Sequence, residues 1–350
     1  MQPQMQTAIA YDIDTSAGSS LPDLHCPFPS LTNIHTAQAH NATLRWADRF
    51  GLLEPGDVRA QQAAQLHSWL VGGFFPRARL PQFQLLCDFT SWLFWHDDVC
   101  DETALADDPS RLEQQFAQLF GLMMRAADPR PGNAFDASLV DLRDRFEALA
   151  PSCVWWLRFA TSLEEYFEAC VREAEDRREG GVPTVRDFIP LRRCAGGMWI
   201  YLDFVEFVNE QTLPIAVRQN RDVQRLRRIT TNVACWTNDI YSLAKELRSG
   251  QVHNLVISLW RERGGSLEQA METAAAYCDA EVHRFQGIAR KLPSFGNAAD
   301  AIVDRYLDGM KALMRGNLDW SRESGRYRAA STAEDVAALP RAVLTQIEQL

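Results

Sequence analysis

The 350-residue sequence lacks the features of several large protein classes. It has no excess of positive charge, because the formal net charge is −10 at pH 7 and the pI is near 5.3. A nucleic-acid backbone requires a basic face, so we predict no nucleic-acid partner. Long apolar runs are also missing: the most apolar stretch near mid-chain, 197–208, is short and contains Asp203 and Glu206. We therefore predict no membrane insertion.

Paired cysteines and an export signal are absent too. The eight cysteines are scattered and form no C-x-x-C pair, which is typical of proteins whose thiols stay reduced. The first twenty residues contain no basic segment followed by an apolar run. These absences predict a cytoplasmic protein. They leave the oligomeric state open, including a homodimer.

No window of the sequence alternates cleanly between apolar and polar residues, so we predict no strands. Helix signals follow one another instead. Pro81 marks the first turn of a helix over 82–101, Asp108 caps a helix that runs to residue 126, and a helix opened by Pro151 stops at Gly180. Thr184 with Asp187, and Ser266 with Gln269 or the nearby Glu268, have the spacing of capping boxes, and Gly250 and Gly264 mark helix ends. The sequence therefore predicts an all-α fold.

The chain shows no linker that would divide it. The loop 128–135 is short, and we interpret it as a connection between helices. Four prolines and weak periodicity predict an extended N-terminal arm over 1–30. The rest is predicted to be one domain over 31–328, followed by a last helix or mobile tail over 329–350.

Three oxygen-bearing side chains are spaced four residues apart at Asn238, Ser242 and Glu246. On an α-helix this spacing puts them on one face, where they could converge on one hard divalent cation or form a solvated stripe. Lys245 stands beside them as a cation. Asp239 follows Asn238 directly, so it points away from that face and towards a structural partner.

A second acidic group, 96–102, follows a run of aromatic residues. Asp97 and Asp101 share a helix face, whereas Asp98 points about 100° away and is expected to pair with an Arg or to cap a turn. These acids could form a solvated surface cluster. The aromatic residues before them favour the lip of an apolar cavity, where carboxylates are costly unless they hold a cation. Whether Asp98 or Glu102 also binds metal stays open.

Together, D-D-x-x-D-E from Asp97 and N-D-x-x-S-x-x-x-E from Asn238 resemble the two metal motifs of class I terpene synthases of the microbial type. The motifs begin 141 positions apart (238 minus 97). The resemblance implies a helical bundle with a central active-site cavity, in which facing helices hold three Mg²⁺, replaceable by Mn²⁺, around a prenyl diphosphate. The implied metal ligands are Asp97, Asp101, Asn238, Ser242 and Glu246.

The resemblance extends to residues that contact the diphosphate. Arg192 lies 46 positions before the Asn (238 minus 192) and matches the family's diphosphate-sensing Arg, with Arg193 as the alternative. In this family a residue called the effector lies at a helix break, and its backbone carbonyl faces the substrate. Gly196 matches it, because the adjacent glycines 196 and 197 weaken the helix at this point. The family often has an acid that links sensor to effector. Here Ala195 stands in its place.

Near the C-terminus, Arg326 and Tyr327 match the family's Arg-Tyr pair, and Trp320 precedes them where an aromatic residue often closes the cavity. With Arg192 and Lys245, this pair would donate to the diphosphate. Phe94, one turn before Asp97, is the main candidate for the cavity wall. The other candidates for the wall are Phe74, Trp199, Trp236 and Trp320. For all five residues, packing in the hydrophobic core is the alternative to a place in the cavity wall.

The resemblance implies a terpene cyclase that converts farnesyl diphosphate into a sesquiterpene hydrocarbon or alcohol. A diterpene cyclase acting on geranylgeranyl diphosphate is one alternative. A trans-prenyl diphosphate synthase is another, although those enzymes typically carry a second D-D-x-x-D, which this sequence lacks. His96 with Asp97 also suggests a metal-dependent phosphohydrolase, but further histidines at matching spacing are missing. The non-enzymatic alternative is a helical binding protein.

Overall fold

The computed structural model describes residues 21–53, 63, 65–102, 108–249 and 251–324, apart from the side chains of residues 101, 102, 248 and 249. Within these ranges the chain forms helices and no strand, which confirms the predicted all-α fold. The helices are α1 (Thr36–Phe50), α2 (His67–Phe74), α3 (Leu80–Glu102), α4 (Pro109–Met123), α5 (Ala134–Leu149), α6 (Cys153–Glu179), α7 (Val185–Ala195), α8 (Met198–Val208), α9 (Ile215–Arg218), α10 (Arg221–Ser249), α11 (Leu255–Arg263), α12 (Leu267–Ala289) and α13 (Asn297–Glu323).

Helix boundaries follow the local signals in the sequence. Pro81 lies in the first turn of α3, the Asp108 carboxylate caps α4 by accepting from Arg111 N at 3.2 Å, and Gly180 ends α6 with a φ of 74°. α4 ends at Met123 rather than at the predicted residue 126. The chain turns back there, because Arg125 has a φ of 55° and the next two amides donate to the Gly121 carbonyl.

The predicted caps of two later helices also form. Ser266 and Gln269 make both hydrogen bonds of a capping box at the start of α12. The Thr184 hydroxyl accepts from Asp187 N at 3.2 Å and donates to its carboxylate at 2.7 Å. Gly264 follows the last residue of α11, as predicted, whereas Gly250 lies outside the described residues.

The middle of the molecule is occupied by α8. All its residues except Trp199 and Val208 are buried, and it contacts α3, α6, α10 and α13. Such all-round burial is expected of a central helix. Its two acids are paired within the core, since Arg218 donates to Asp203 at 2.7 Å and to Glu206 at 2.8 Å. None of the described helices combines the length and apolar composition that crossing a membrane requires.

Two helices on one side of the core approach each other backbone to backbone. Gly73 of α2 faces Gly316 of α13, and a methyl group added to Gly73 would lie 2.8 Å from the Gly316 Cα. One added to Gly316 would lie 2.5 Å from the Gly73 carbonyl carbon. This crossing admits no side chain on either helix, so glycine is required at both positions.

The segment before α1 lies against the last two long helices. It carries no helix or strand over 21–33, and Leu24, Cys26 and Phe28 are buried. Its backbone is held by the Asp279 carboxylate, which accepts from His25 N at 2.8 Å, and by Arg315, which donates to the Cys26 carbonyl at 3.1 Å. Residues 1–20 and the predicted tail lie outside the described ranges, and the domain limits therefore stay a prediction.

Candidate active site

One face of α10 carries the three oxygen-bearing side chains singled out in the sequence. Asn238, Ser242 and Glu246 follow one another at one-turn spacing and line the same cavity. The Ser242 hydroxyl donates to Glu246 Oε1 at 2.6 Å. The face is therefore the wall of a cavity rather than a solvated stripe.

The end of α3 lies across the cavity from this face. Asp97 lines the cavity, and its Oδ1 accepts from the Tyr166 hydroxyl at 2.9 Å. Burial and the nearby Asp97 charge raise the pKa of Tyr166 well above its ordinary value, so this phenol is a neutral donor. The side chain of Asp101 is outside the described residues.

Two further residues of the 96–102 group, Asp98 and His96, point elsewhere. Asp98 was predicted to pair with an Arg or to cap a turn, but it pairs with Lys245 at 3.3 Å, because the end of α3 faces α10. His96 is buried and stacks on Trp92 with ring centroids 5.3 Å apart. Burial lowers its pKa to about 4, and the ring is neutral.

Arg192 of α7 reaches α10 beside these groups. Its guanidinium contacts Asp239 Oδ1 at 2.7 Å and donates to Asn238 Oδ1 at 2.8 Å. Burial opposes the charge of Arg192, but the surrounding groups, Asp239 first and then Cys235, Glu173 and Glu246, together outweigh it and hold the pKa of Arg192 well above the ordinary value. The prediction that Asp239 has a structural partner is confirmed, and that partner is the predicted sensor.

The helix that carries Arg192 ends three residues after it. α7 ends at Ala195 and α8 begins at Met198, with Gly197 at a φ of 65° between them. A methyl group on Gly196 would collide with the Cys235 sulfur, so α10 packs directly on the break. The predicted break of the helix at the two glycines is confirmed.

The cavity has two adjoining compartments. A polar compartment of about 140 Å³ lies among α3, α6, α7 and α10, and an apolar compartment of about 120 Å³ adjoins it towards α2, α8 and α13. Both are lined by Phe94, Asp97, Arg192, Ala195 and Asn238. The polar compartment adds Ser242, Lys245, Glu246, Glu173, Arg177, Gln251 and His253. The apolar compartment adds Leu70, Phe74, Leu93, Tyr166, Met198, Tyr201 and Trp320, with Gly196 and Gly197.

Comparison with known proteins identifies this arrangement. The family described as terpene synthase family 2, C-terminal metal binding, matches residues 88–284, which include both motifs and Arg192. The germacrene A synthase of Nostoc punctiforme is 34% identical over 87% of this chain and 94% of its own length. The chain belongs to the class I terpene synthases.

A second relative and one solved structure extend the comparison. The (+)-T-muurolol synthase of Roseiflexus castenholzii, described as cyclising (2E,6E)-farnesyl diphosphate, is 30% identical over 89% of this chain and 94% of its own length. The crystal structure of germacradien-4-ol synthase from Streptomyces citricolor superposes with a TM-score of 0.76 at 22% identity, covering 88% of this chain and 99% of that one. The family is one of metal-binding enzymes, so this terpene synthase is a divalent-metal-dependent enzyme.

The donors in the cavity fit a hard divalent ion. Within the described ranges, no group of three or more His, Cys, Asp or Glu residues could hold a metal by itself. The α10 face instead offers an amide, a hydroxyl and a carboxylate, with the Asp97 carboxylate opposite. All are oxygen donors, the type that Mg²⁺ prefers. Membership of the terpene synthases, together with a buried His96, removes support for the phosphohydrolase alternative.

The structure separates the predicted wall aromatics into two groups. Phe94 lines both compartments, and Phe74 and Trp320 line the apolar one. Trp199 and Trp236 line neither compartment, so their assignment to the wall needs correction. Trp236 is two residues before Asn238, which puts it about 200° round the helix, and it packs near Tyr277 with ring centroids 6.1 Å apart. The ring of Trp199 lies under the guanidinium of Arg227 at 5.4 Å.

Several cavity residues were missed from the sequence. Glu173 and Arg177 of α6 line the polar compartment, and their i, i+4 spacing on a long helix was a usable signal. Gln251 and His253 also line it, from the connection between α10 and α11, and no pattern in the sequence marked them. Arg326 and Tyr327 lie outside the described residues, and so their roles remain predictions.

Proposed function

We propose that this terpene synthase ionises farnesyl diphosphate and cyclises the resulting carbocation to a sesquiterpene, with release of diphosphate. One observation carries the proposal: the compartment with the oxygen donors and Arg192 adjoins an aromatic compartment, and the two share five lining residues. The relation to the T-muurolol synthase, which cyclises farnesyl diphosphate, supports farnesyl diphosphate as the substrate. The relatives' names also favour cyclisation over prenyl chain elongation.

The polar compartment would bind the diphosphate. Asn238, Ser242 and Glu246 on one side, and Asp97 with Asp101 on the other, would hold Mg²⁺. Bound Mg²⁺ would neutralise the charge that develops on the leaving group. We expect three Mg²⁺, with Mn²⁺ as a substitute.

Basic side chains of the chain itself would stabilise the same charge. Arg192 and Lys245 line the compartment and would donate to diphosphate oxygens, together with Arg326 and Tyr327. Lys245 pairs with Asp98 at 3.3 Å, so it would exchange or share that partner when the diphosphate binds. Gly196 would present its carbonyl to the substrate from the helix break.

The apolar compartment would hold the prenyl chain. Phe94, Phe74 and Trp320 offer ring faces that stabilise a carbocation without reacting with it. Their packing would exclude water, which otherwise captures the cation.

The decisive experiment is an incubation of the purified protein with Mg²⁺ and each of geranyl, farnesyl and geranylgeranyl diphosphate. Pyrophosphate release and hexane-extractable products are measured in each, and a fourth reaction combines farnesyl with isopentenyl diphosphate. We expect a cyclic C15 product from farnesyl diphosphate and none when the metal is chelated. A cyclic C20 product identifies a diterpene cyclase, and a longer prenyl diphosphate in the fourth reaction identifies a prenyl synthase. No turnover in any reaction would contradict the proposal.

Two other proposals accompany this function. We propose that residues 31–328 form the synthase domain between an arm and a tail. We also propose a cytoplasmic location. Light scattering on the active fraction would distinguish a monomer from a homodimer.

A further inference from the structure

Arg192 is held by α10 rather than by an acid on its own helix. Ala195, one turn after Arg192, contributes only a methyl group. The acid in direct contact with Arg192 is Asp239, whose Oδ1 lies 2.9 Å from Nε and 2.7 Å from Nη2. Both contacts converge on one oxygen of a fully buried carboxylate, and Nη2 also donates to Asn238 Oδ1 at 2.8 Å, so the guanidinium is held against α10.

The other side of Asp239 is also fixed. Its Oδ2 accepts from Leu255 N at 3.1 Å, at the start of α11, and its carbonyl accepts from Asn254 Nδ2 at 2.7 Å. Asp239 therefore joins α7, α10 and α11 at one point. A carboxylate held at both oxygens cannot rotate away from Arg192 without breaking these bonds.

Asn254 connects this point to the metal-binding face. Its Nδ2 donates to Glu246 Oε2 at 2.8 Å, and its Oδ1 caps α11 by accepting from Val256 N at 2.8 Å. Asn254 is fully buried. With the Ser242 hydroxyl on Oε1, both oxygens of Glu246 have a partner on the protein.

We propose that Asp239 is the positioning residue of Arg192, and that Asn254 ties this pair to the carboxylate of Glu246. The orientation of the guanidinium that meets the diphosphate and that of the α10 carboxylate then depend on each other. Outer partners of this kind typically change affinity or activity about 10–100-fold when removed. The inference rests on the proposed function, because it assumes that Arg192 contacts diphosphate.

A double-mutant cycle on the full chain tests the first half. Binding of inorganic pyrophosphate with Mg²⁺ is measured by calorimetry for wild type, Asp239→Asn, Arg192→Gln and the double variant. We expect each single variant to weaken binding about 10–100-fold. The double variant should be no weaker than the worse single variant, because Asp239 acts through Arg192. Losses that multiply would overturn the inference.

The same cycle separates this inference from the proposed function. If Arg192→Gln alone leaves pyrophosphate binding unchanged, the sensor role in the proposed function is wrong. If Arg192→Gln weakens binding but Asp239→Asn adds an independent loss, only the positioning role is wrong.

Variants of Asn254 test the second half, and they keep the inference testable if Asp239→Asn does not fold. Serine and aspartate both preserve a helix-capping oxygen. Asn254→Ser removes the donor to Glu246, and Asn254→Asp puts a second carboxylate against it. We expect the Mg²⁺ concentration for half-maximal turnover to rise about tenfold or more in both, and further in Asn254→Asp.

Asn133 offers a matched control, since it caps α5 by accepting from Asp136 N at 2.9 Å. Asn133→Ser and Asn133→Asp should leave the Mg²⁺ requirement unchanged. If the Asn254 variants fold, with wild-type circular dichroism, and also keep the wild-type Mg²⁺ requirement, the link through Asn254 is wrong.

Discussion

The two compartments of the cavity share a wall but hold their side chains by different means. In the polar compartment the groups are fixed by directional bonds, such as Ser242 to Glu246 at 2.6 Å and Arg192 to Asp239 at 2.7 Å. In the apolar compartment rings are fixed by packing, with Phe94 and Trp320 centroids 5.8 Å apart. Loss of a directional partner leaves a buried polar group unsatisfied, whereas packing relaxes in part. Substitutions should therefore abolish function in the first compartment and alter its outcome in the second.

The largest effect is expected from the proposed metal ligands. Asn238→Ala or Asp97→Asn should lower turnover about 10³-fold or more, because each removes part of a metal site worth several kcal/mol of charge stabilisation. Pyrophosphate release measures turnover, and far-UV circular dichroism should keep its helical signal. Asp222→Asn, near the start of the same helix, is the control and should remain active. Full activity in either ligand variant would refute the metal assignment.

A smaller loss is expected at Lys245. Lys245→Gln should reduce kcat/KM about 10²-fold, because one cationic donor to the developing charge is lost. Steady-state kinetics with farnesyl diphosphate measure the change. Lys311→Gln is the matched control. Like Lys245, Lys311 pairs with an Asp, in its case Asp308 at 2.9 Å, but it lines neither compartment. Equal kinetics for the two variants would show that Lys245 does not contact the diphosphate.

The apolar compartment should respond in its products. Phe94→Ala should change the product distribution while slowing pyrophosphate release less than about tenfold, because the ring faces the cation and not the leaving group. Gas chromatography of the hexane extract gives the distribution, and Phe94→Leu shows how much depends on the ring. An unchanged profile in Phe94→Ala would exclude this role.

The smallest effect is expected where the structure corrects the sequence. Trp236→Phe should leave the products unchanged, since Trp236 lines neither compartment. Trp320→Phe, the same change within the apolar compartment, should shift the product ratios. The comparison would fail if Trp236→Phe altered the products as much as Trp320→Phe does.

The polar compartment was largely predictable from the sequence, and the apolar one was not. Asn238, Ser242 and Glu246 lie on a single helix, and a spacing of four fixes which face they share. Phe94 was found in the same way, through its distance of one turn from Asp97. Local signals of this type also gave most helix ends.

The remaining wall depends on how separate helices pack. Leu70, Met198 and Tyr201 look in the sequence like any other core residue, and their place in the cavity follows from the approach of α2 and α8. Trp199 and Trp236 were misassigned because aromatic type alone does not give direction. Asn254 was missed because its two partners on α10, Asp239 and Glu246, lie in a different helix.

The glycine contact between α2 and α13 has a consequence for how the enzyme could diversify. Phe74 follows Gly73 directly, and Trp320 lies one turn beyond Gly316, so both apolar-wall aromatics are carried by helices whose separation is set by backbone atoms. Exchanging either ring reshapes the surface presented to the prenyl chain without moving its support. Product specificity can then drift through single aromatic substitutions. A larger residue at either glycine would instead force the two helices apart and shift both rings at once.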